Sequence, residues 1–253
     1  MTDPAPKLDS TLSKGLLILE TLATAKGGRG VTDLSRELGL TKSNTFRLLR
    51  TLAHLGYVEH QDDRTYAATL KTWRVGRALI ETDNLRELAA PEMSYLSEET
   101  GETVYLAVRE GLSVVYIDKR DSSKPIRSWN AIGGTAPLHC VGTGKALLAA
   151  EFEALQGEIA AHLTGFTDRT LTTMAAVRTD VAQTLRQGYA FDRGEFRERI
   201  LSFGAVIALP DCAPVAALGL SLPDVNMPAN GEDRMGGLVL HAARAVSQKL
   251  ARR

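Results

Sequence analysis

Residues 31–59, VTDLSRELGLTKSNTFRLLRTLAHLGYVE, constrain the fold more than any other stretch of the chain. They read as two short helices joined by a tight turn and followed by a strand. Thr32 offers a hydroxyl to the free N–H groups of a first helical turn and is the expected N-cap. Leu34 and Leu38 lie four apart on one face, and Gly39 ends the helix where a left-handed residue is cheap only for glycine. A second start signal follows at Thr41 to Ser43. Phe46, Leu48, Leu49, Leu52 and Leu55 supply the expected apolar side of that helix; Lys42, Ser43, Asn44, Thr45, Arg47 and Arg50 supply the outer side.

A polar outer side is the default for any surface helix, so one helix alone supports an ordinary helical hairpin. Two further features favour DNA. The helix–Gly–helix spacing is that of a helix-turn-helix. After Gly56, Tyr57–His60 and Thr65–Ala67 alternate around Gln61-Asp62-Asp63-Arg64, a small hairpin with a polar tip. A reading helix needs short hydrogen-bonding side chains near its N-terminus and cations within reach of phosphate. The candidate DNA-contacting set is Thr32, Lys42, Ser43, Asn44, Thr45, Arg47, Arg50 and, at the hairpin tip, Arg64.

Charge agrees weakly. The 253 residues carry no net charge, but the first 80 hold twelve Lys/Arg against eight Asp/Glu, leaving the head basic and the rest equally acidic. Two cysteines, Cys140 and Cys212, are too few for a disulfide framework or a cysteine-based metal site, and no cofactor is implied. With no signal-peptide pattern and no spanning apolar run, a cytoplasmic location and no membrane partner are expected.

The chain divides on paper into a head at 10–68, a linker helix at 69–89 and a larger domain at 90–253. A loose tail (Met1 to Asp9) precedes a helix over Ser10 to Thr24, with Leu12, Gly15, Leu16, Leu19 and Leu22 at helical spacing. Leu70 to Leu88, with Trp73 and Leu79, either pairs with a second copy or packs on its own domain. Pro91 is expected to open a helix through Thr100. Strands are expected over Glu102–Arg109, Leu112–Lys119, Ile126–Asn130, Tyr189–Asp192, Leu201–Leu209 and Val215–Leu222. Helices are expected over Gly142–Ala150, Phe152–Leu163, Thr173–Gln187 and Leu238–Leu250. Antiparallel runs interrupted by a helical block indicate an α+β domain.

The chain as a whole resembles the IclR family of bacterial transcription regulators. The resemblance rests on the winged helix-turn-helix, on GETVYL at 101–106, GGTAPLHCVGTGKALLA at 133–149, RQGYAFD at 186–192 and PVAALGLS at 214–221. It implies a GAF-like second domain, an antiparallel sheet flanked by helices that senses a small organic acid, aromatic or sugar-derived acids among them. It implies a homodimer or tetramer on palindromic double-stranded operator DNA. It places the effector-binding residues at Trp129, Ile132, Gly142, Thr143, Asp192, Ile200, Ser202, Gly219 and Ser221. Local physics adds that Gly142 and Gly144 at a helix start present N–H groups to a carboxylate and that Trp129 offers an apolar wall. Where the family often carries Glu-Glu after its Gly-Tyr-x-x-Asp motif, Arg193-Gly194-Glu195 stands here, and where it shows glycine-apolar-x-cysteine, Arg199-Ile200-Leu201-Ser202 stands.

Other chemistries fare worse. Gly142-Thr-Gly-Lys145 is not a phosphate loop, because His139 and Ala146 occupy the positions that need glycine and a hydroxyl; Lys145 is read as a capping or salt-bridging residue. His139-Cys140 has no second ligand at metal spacing. Ser202 and Ser221 lack the sharp Gly-x-Ser-x-Gly turn of a hydrolase. A small-molecule hydrolase with an accessory head, and a winged protein–protein adaptor, remain the competing readings.

Overall fold

The computed structural model describes residues 9–25, 27–72, 74–75, 85–209 and 214–252, and statements of absence below concern these residues. The expected tail over residues 1–8, the central part of the expected linker helix (Trp73 and 76–84) and the turn with Cys212 lie outside them. The chain separates into two compact units, Met1–Asp83 and Asn84–Arg253.

The first unit holds three helices, α1 (Ser10–Thr24), α2 (Val31–Glu37) and α3 (Lys42–His54), and a hairpin of β1 (Val58–His60) and β2 (Tyr66–Ala68). Asp9 caps α1, its Oδ1 accepting from the Thr11 and Leu12 amides at 2.8 and 2.9 Å. The core is Ile18, Leu19, Leu22, Leu34, Leu48, Leu49, Val58 and Tyr66. Leu12 and Leu16, expected on the inner face of α1, are exposed instead; Ile18 takes that place, which sets the buried stripe one residue off the sequence reading. Gly30, not Thr32, is the N-cap of α2, and Thr32 is exposed in its first turn. Gly39 and Gly56 have φ of +64° and +76°, the left-handed turns that follow α2 and α3. Arg29, ahead of α2, exchanges both backbone hydrogen bonds with Tyr66, at 2.9 and 3.0 Å, an isolated antiparallel bridge that ties this segment to the edge of the wing.

The second unit is a six-stranded antiparallel sheet in the order β5-β4-β3-β8-β7-β6, with helices on both faces. In chain order its elements are α4 (Leu85–Thr100), β3 (Thr103–Glu110), β4 (Ser113–Arg120), β5 (Thr135–Pro137), α5 (Gly142–Ala150), α6 (Phe152–Ile159), α7 (Met174–Gln187), β6 (Ala190–Asp192), β7 (Ile200–Ala208), β8 (Pro214–Pro223) and α8 (Glu232–Ala251). Alternation divides the central strands between two cores. Val104 and Leu106 face α4 and α8 with Leu96, Met93 and Val239; Tyr105 and Ala107 face α5, α6 and α7 with Leu147, Phe152 and Val181. Covered on both sides, β3 and β8 read as nearly unbroken apolar runs.

Three local expectations are corrected. Ile126–Asn130 forms no strand; the edge strand is β5, paired with β4 from Ser113↔Pro137 to Val115↔Thr135. Pro91 lies inside α4, which starts two turns earlier at Leu85. α8 begins at Glu232, because the acidic pair Glu232-Asp233 suits its N-terminus although neither residue carries the apolar period. No helix among the described residues is long and apolar enough to cross a membrane.

Candidate DNA interface and effector site

In the head, Thr41 caps α3 through its hydroxyl, which accepts from the Asn44 amide at 3.3 Å. Lys42, Ser43, Arg47 and Arg50 are exposed along one side of α3, and Asn44 is half-buried on the flank, its Oδ1 accepting from Arg47 at 3.3 Å. Three placements differ from expectation. Leu55, expected on the apolar side, is the C-cap of α3 and 49% exposed. Thr45 is fully buried and its hydroxyl has no hydrogen-bond partner, so it belongs to the core and not to the outer face. Phe46 is 47% exposed and lies on the outer face among the polar residues. The buried stripe of α3 runs through Thr45, Leu48, Leu49 and Leu52, at spacings of three, four and seven from Thr45, which leaves no room on it for Phe46. Arg64 stands at the hairpin tip in the left-handed region, φ +64°, beside the Asp63 carboxylate that accepts from the Thr65 amide.

In the second unit a cleft of about 30 Å³ opens between the sheet and the N-terminus of α5, room for one or two waters. Thr143, Asp192, Ile200, Ser202, Gly219 and Ser221 all line it. So do residues that the sequence did not single out: Tyr105, Tyr116, Ser128, Asn130, Phe196 and Arg197. Strand alternation could have found the two tyrosines, since both sit on the face of β3 and β4 that α5 covers. Ser128 and Asn130 come from an irregular segment and carry no sequence signal.

The polar groups form a connected set. The Ser202 hydroxyl donates to Asp192 Oδ2 at 2.7 Å and accepts from the Gly142 amide at 2.9 Å. Asp192 Oδ1 accepts from the Gly194 and Glu195 amides at 2.9 and 2.7 Å. Ser221 donates to Ser128 Oγ at 2.9 Å, and the Asn130 amide donates to the Tyr105 hydroxyl at 2.8 Å. The Tyr105 and Tyr116 rings lie 4.7 Å apart, and burial pushes both phenols up from their ordinary pKa. A serine held between a carboxylate and a backbone amide is fixed in orientation; that geometry suits a binding group.

Gly142, Trp129 and Ile132 are not cavity residues. The Gly142 amide is taken by Ser202, and a Cβ at Gly142 would lie 2.6 Å from the Phe203 backbone, so this glycine lets α5 sit directly on β7. Trp129 and Ile132 are 59% and 52% exposed. The irregular segment turns the Trp129 ring outward over Lys119, 5.6 Å away, while its carbonyl accepts from Arg197 at 3.1 Å.

Beneath the cleft lies a buried ionic cluster. Lys145 Nζ, on an almost fully buried side chain, donates to the Phe191 carbonyl at 2.7 Å and contacts Glu195 Oε1 at 2.7 Å and Asp180 Oδ1 at 2.9 Å. Burial pushes the Asp192 carboxyl up to about 6 against the pull of its amide and hydroxyl donors and of Lys145. Burial likewise pushes Glu195 up to about 7, with Lys145 opposing and the nearby carboxylates of Asp192 and Asp180 adding to the rise. Both native carboxyls therefore hold protons more tightly than in the unfolded chain, so the folded state loses stability as pH rises through their native values. The second unit should be more resistant to denaturant near about pH 5.5 than near about pH 8, and Asp192→Asn should flatten that dependence. Denaturant midpoints at the two pH values measure it; a wild-type midpoint that rises with pH would contradict the cluster's electrostatics.

The pattern of the IclR helix-turn-helix domain matches residues 11–62, and that of the bacterial transcriptional regulator IclR C-terminal domain matches residues 77–248. The chain belongs to the IclR family. It is a DNA-binding transcriptional regulator. Among IclR relatives, it is 31% identical over 251 residues to the transcriptional repressor IclR of Escherichia coli, covering 97% of this chain and 92% of that protein. It is 32% identical over 250 residues to the HTH-type transcriptional repressor AllR of the same species, with the same coverage. The crystal structure of Thermotoga maritima IclR superposes with a TM-score of 0.77 at 25% identity, covering 95% of this chain and 98% of that one. An IclR homolog from Microbacterium hydrocarbonoxydans, solved in complex with 4-hydroxybenzoate, superposes with a TM-score of 0.83 at 21% identity over 96% of this chain and all of that one; at that identity it speaks to the fold.

Proposed function

We propose that this IclR-family chain is a repressor: residues 10–68 read an operator, residues 69–89 join and pair subunits, and residues 90–253 sense a small organic acid. The observation that carries the DNA reading is the single exposed side of α3 bearing Lys42, Ser43, Arg47 and Arg50. Laid in a major groove, Ser43 meets base edges while the cations meet phosphate or guanine, and Arg64 reaches the flanking groove or backbone. The repressor names of the E. coli relatives support the sign of the regulation. A homodimer, or a tetramer of two dimers, presents two such helices to a palindrome.

For the effector, the first turn of α5 supplies positive dipole and the Thr143 hydroxyl toward a carboxylate, with Ser202, held by Asp192 and the Gly142 amide, fixed beside it, while the Ser128 and Ser221 hydroxyls suit a hydroxyl of the ligand. Tyr105 and Tyr116 offer ring walls. The 4-hydroxybenzoate carried by the Microbacterium protein has this division into acid, ring and hydroxyl. A ligand of that size needs the 128–130 segment or the Phe196-Arg197 edge to give way, and only such a differential between states lets an effector shift DNA affinity.

The test is fluorescence anisotropy on duplex selected from a randomised library by the full chain. Binding should weaken steeply with salt; Arg47→Ala with Arg50→Ala should cost at least about tenfold and make the log–log salt slope shallower by about two. Thermal shift against aromatic, keto and sugar acids identifies the effector, which should then change duplex affinity. Salt-independent binding, or none, would remove the DNA reading.

A further inference from the structure

The outer face of α3 contains a residue that no polar-face argument selects. Phe46 is 47% exposed, four residues after Lys42, three after Ser43 and four before Arg50, so those side chains are its neighbours on one surface. Its neighbour Thr45 is fully buried with an unpartnered hydroxyl. A head optimised for stability alone would reverse this: the aromatic ring inside, the hydroxyl in water. The helix instead packs with the ring outward, between Lys42 and Arg50 on the side that also carries Ser43 and Arg47. Conflict between a local rule and the observed placement points to function at that position. The other exposed leucines of the head lack this setting: Leu12, Leu16 and Leu17 lie on α1, Leu70 follows the hairpin, and Leu55, the C-cap of α3, falls nine residues on, on the opposite side of the helix.

We propose that Phe46 is a specificity-determining residue that packs on the 5-methyl group of a thymine in the major groove. This rests on the assignment of α3 as the reading helix. In that groove the thymine methyl is the one apolar group on a base edge, and an aromatic side chain is among those that contact it. Lys42 and Arg50, one turn before and one turn after the ring, bind phosphate or guanine on either side and hold it against the base step. Phe46 thus selects A·T over G·C at one position of each half-site through shape and apolar contact, with no hydrogen bond.

The test uses full-length protein and a duplex enriched from a randomised library. Each thymine in turn is replaced by deoxyuridine, which removes only the methyl group. Wild-type protein should lose about fourfold in affinity at one position per half-site, the effect of one buried methyl group. Phe46→Ala should bind more weakly overall and lose less than about twofold at that position; Phe46→Leu, still apolar, should retain part of the sensitivity. Because Phe46 is exposed, both variants should keep the wild-type fold, checked by circular dichroism. Wild-type indifference to every methyl, or a Phe46→Ala variant as methyl-sensitive as wild type, overturns the assignment while leaving α3 as the reading helix. Failure to enrich any duplex overturns both.

Discussion

Lys145→Met is expected to destabilise the second unit by about 3–5 kcal/mol near neutral pH, the usual consequence of removing one partner from a buried ion pair. The side chain is 2% exposed and its ammonium is the hub for Glu195, Asp180 and the Phe191 carbonyl. Methionine fills the volume without the charge, leaving Glu195 and Asp180 facing each other with Asp192 close by. Glu195 is already lifted to about 7, so it can take up a proton and relieve part of this repulsion in mildly acid solution. The loss should therefore be larger near about pH 8 than near about pH 6. Glu195→Gln added to Lys145→Met should recover part of the stability, since one of the unpaired charges is then gone. Equilibrium denaturation of the single and double variants at both pH values checks all three statements. A Lys145→Met protein as stable as wild type at about pH 8 would show that the cluster is held by something else.

Gly204→Ala is expected to prevent α5 from seating on the sheet. A Cβ there would lie 2.5 Å from the Thr143 amide nitrogen and closer still to the Gly142 carbonyl, all of it backbone. Overpacking usually costs about 1–3 kcal/mol when side chains can adjust; here only movement of the helix relieves the clash, so the cost should lie at or above the top of that range. Movement of α5 also breaks the Gly142-to-Ser202 hydrogen bond, so effector binding should fail with the packing. Gly219→Ala makes the informative contrast. Its Cβ meets the Thr143 methyl first and the Phe203 carbonyl at 2.9 Å, so much of the crowding comes from a side chain. Gly219→Ala should be milder, and Thr143→Ser in the same chain should relieve it. Thermal melts of the four proteins rank them; equal loss in Gly204→Ala and Gly219→Ala would mean that α5 is not held where this packing requires.

These glycines show where the sequence reading stopped. Gly142 and Gly219 stand out in the linear pattern, and the resemblance placed both in the effector pocket. In the fold, Gly142 serves contact between a helix and a strand sixty residues away, and Gly219 does the same while also lining the cleft. Glycine in a sequence marks a position without a side chain; which backbone fills the space is a tertiary fact. Trp129 fails as a cavity wall for a related reason: it lies on an irregular segment whose path no local rule fixes. Glu195 registered only as a departure from the family's Glu-Glu pattern, because its partners, Lys145 and Asp180, are fifty and fifteen residues distant.

The sequence alone determined what local periodicity, turn chemistry and motif spacing can carry. Gly39 and Gly56 marked the turns of the reading head, alternation marked the central strands, and the spaced motifs marked the family and its two-part architecture. Rotation of each helix about its own axis was decided by the tertiary structure: Ile18 in and Leu12 out, Thr45 in and Phe46 out. Periodicity specifies an apolar stripe to within about one residue, and the remaining freedom is settled by which side chains interlock with neighbours distant in the chain. The cleft and its buried charges were decided the same way, since burial exists only once strands far apart in sequence have closed over Lys145 and Asp192.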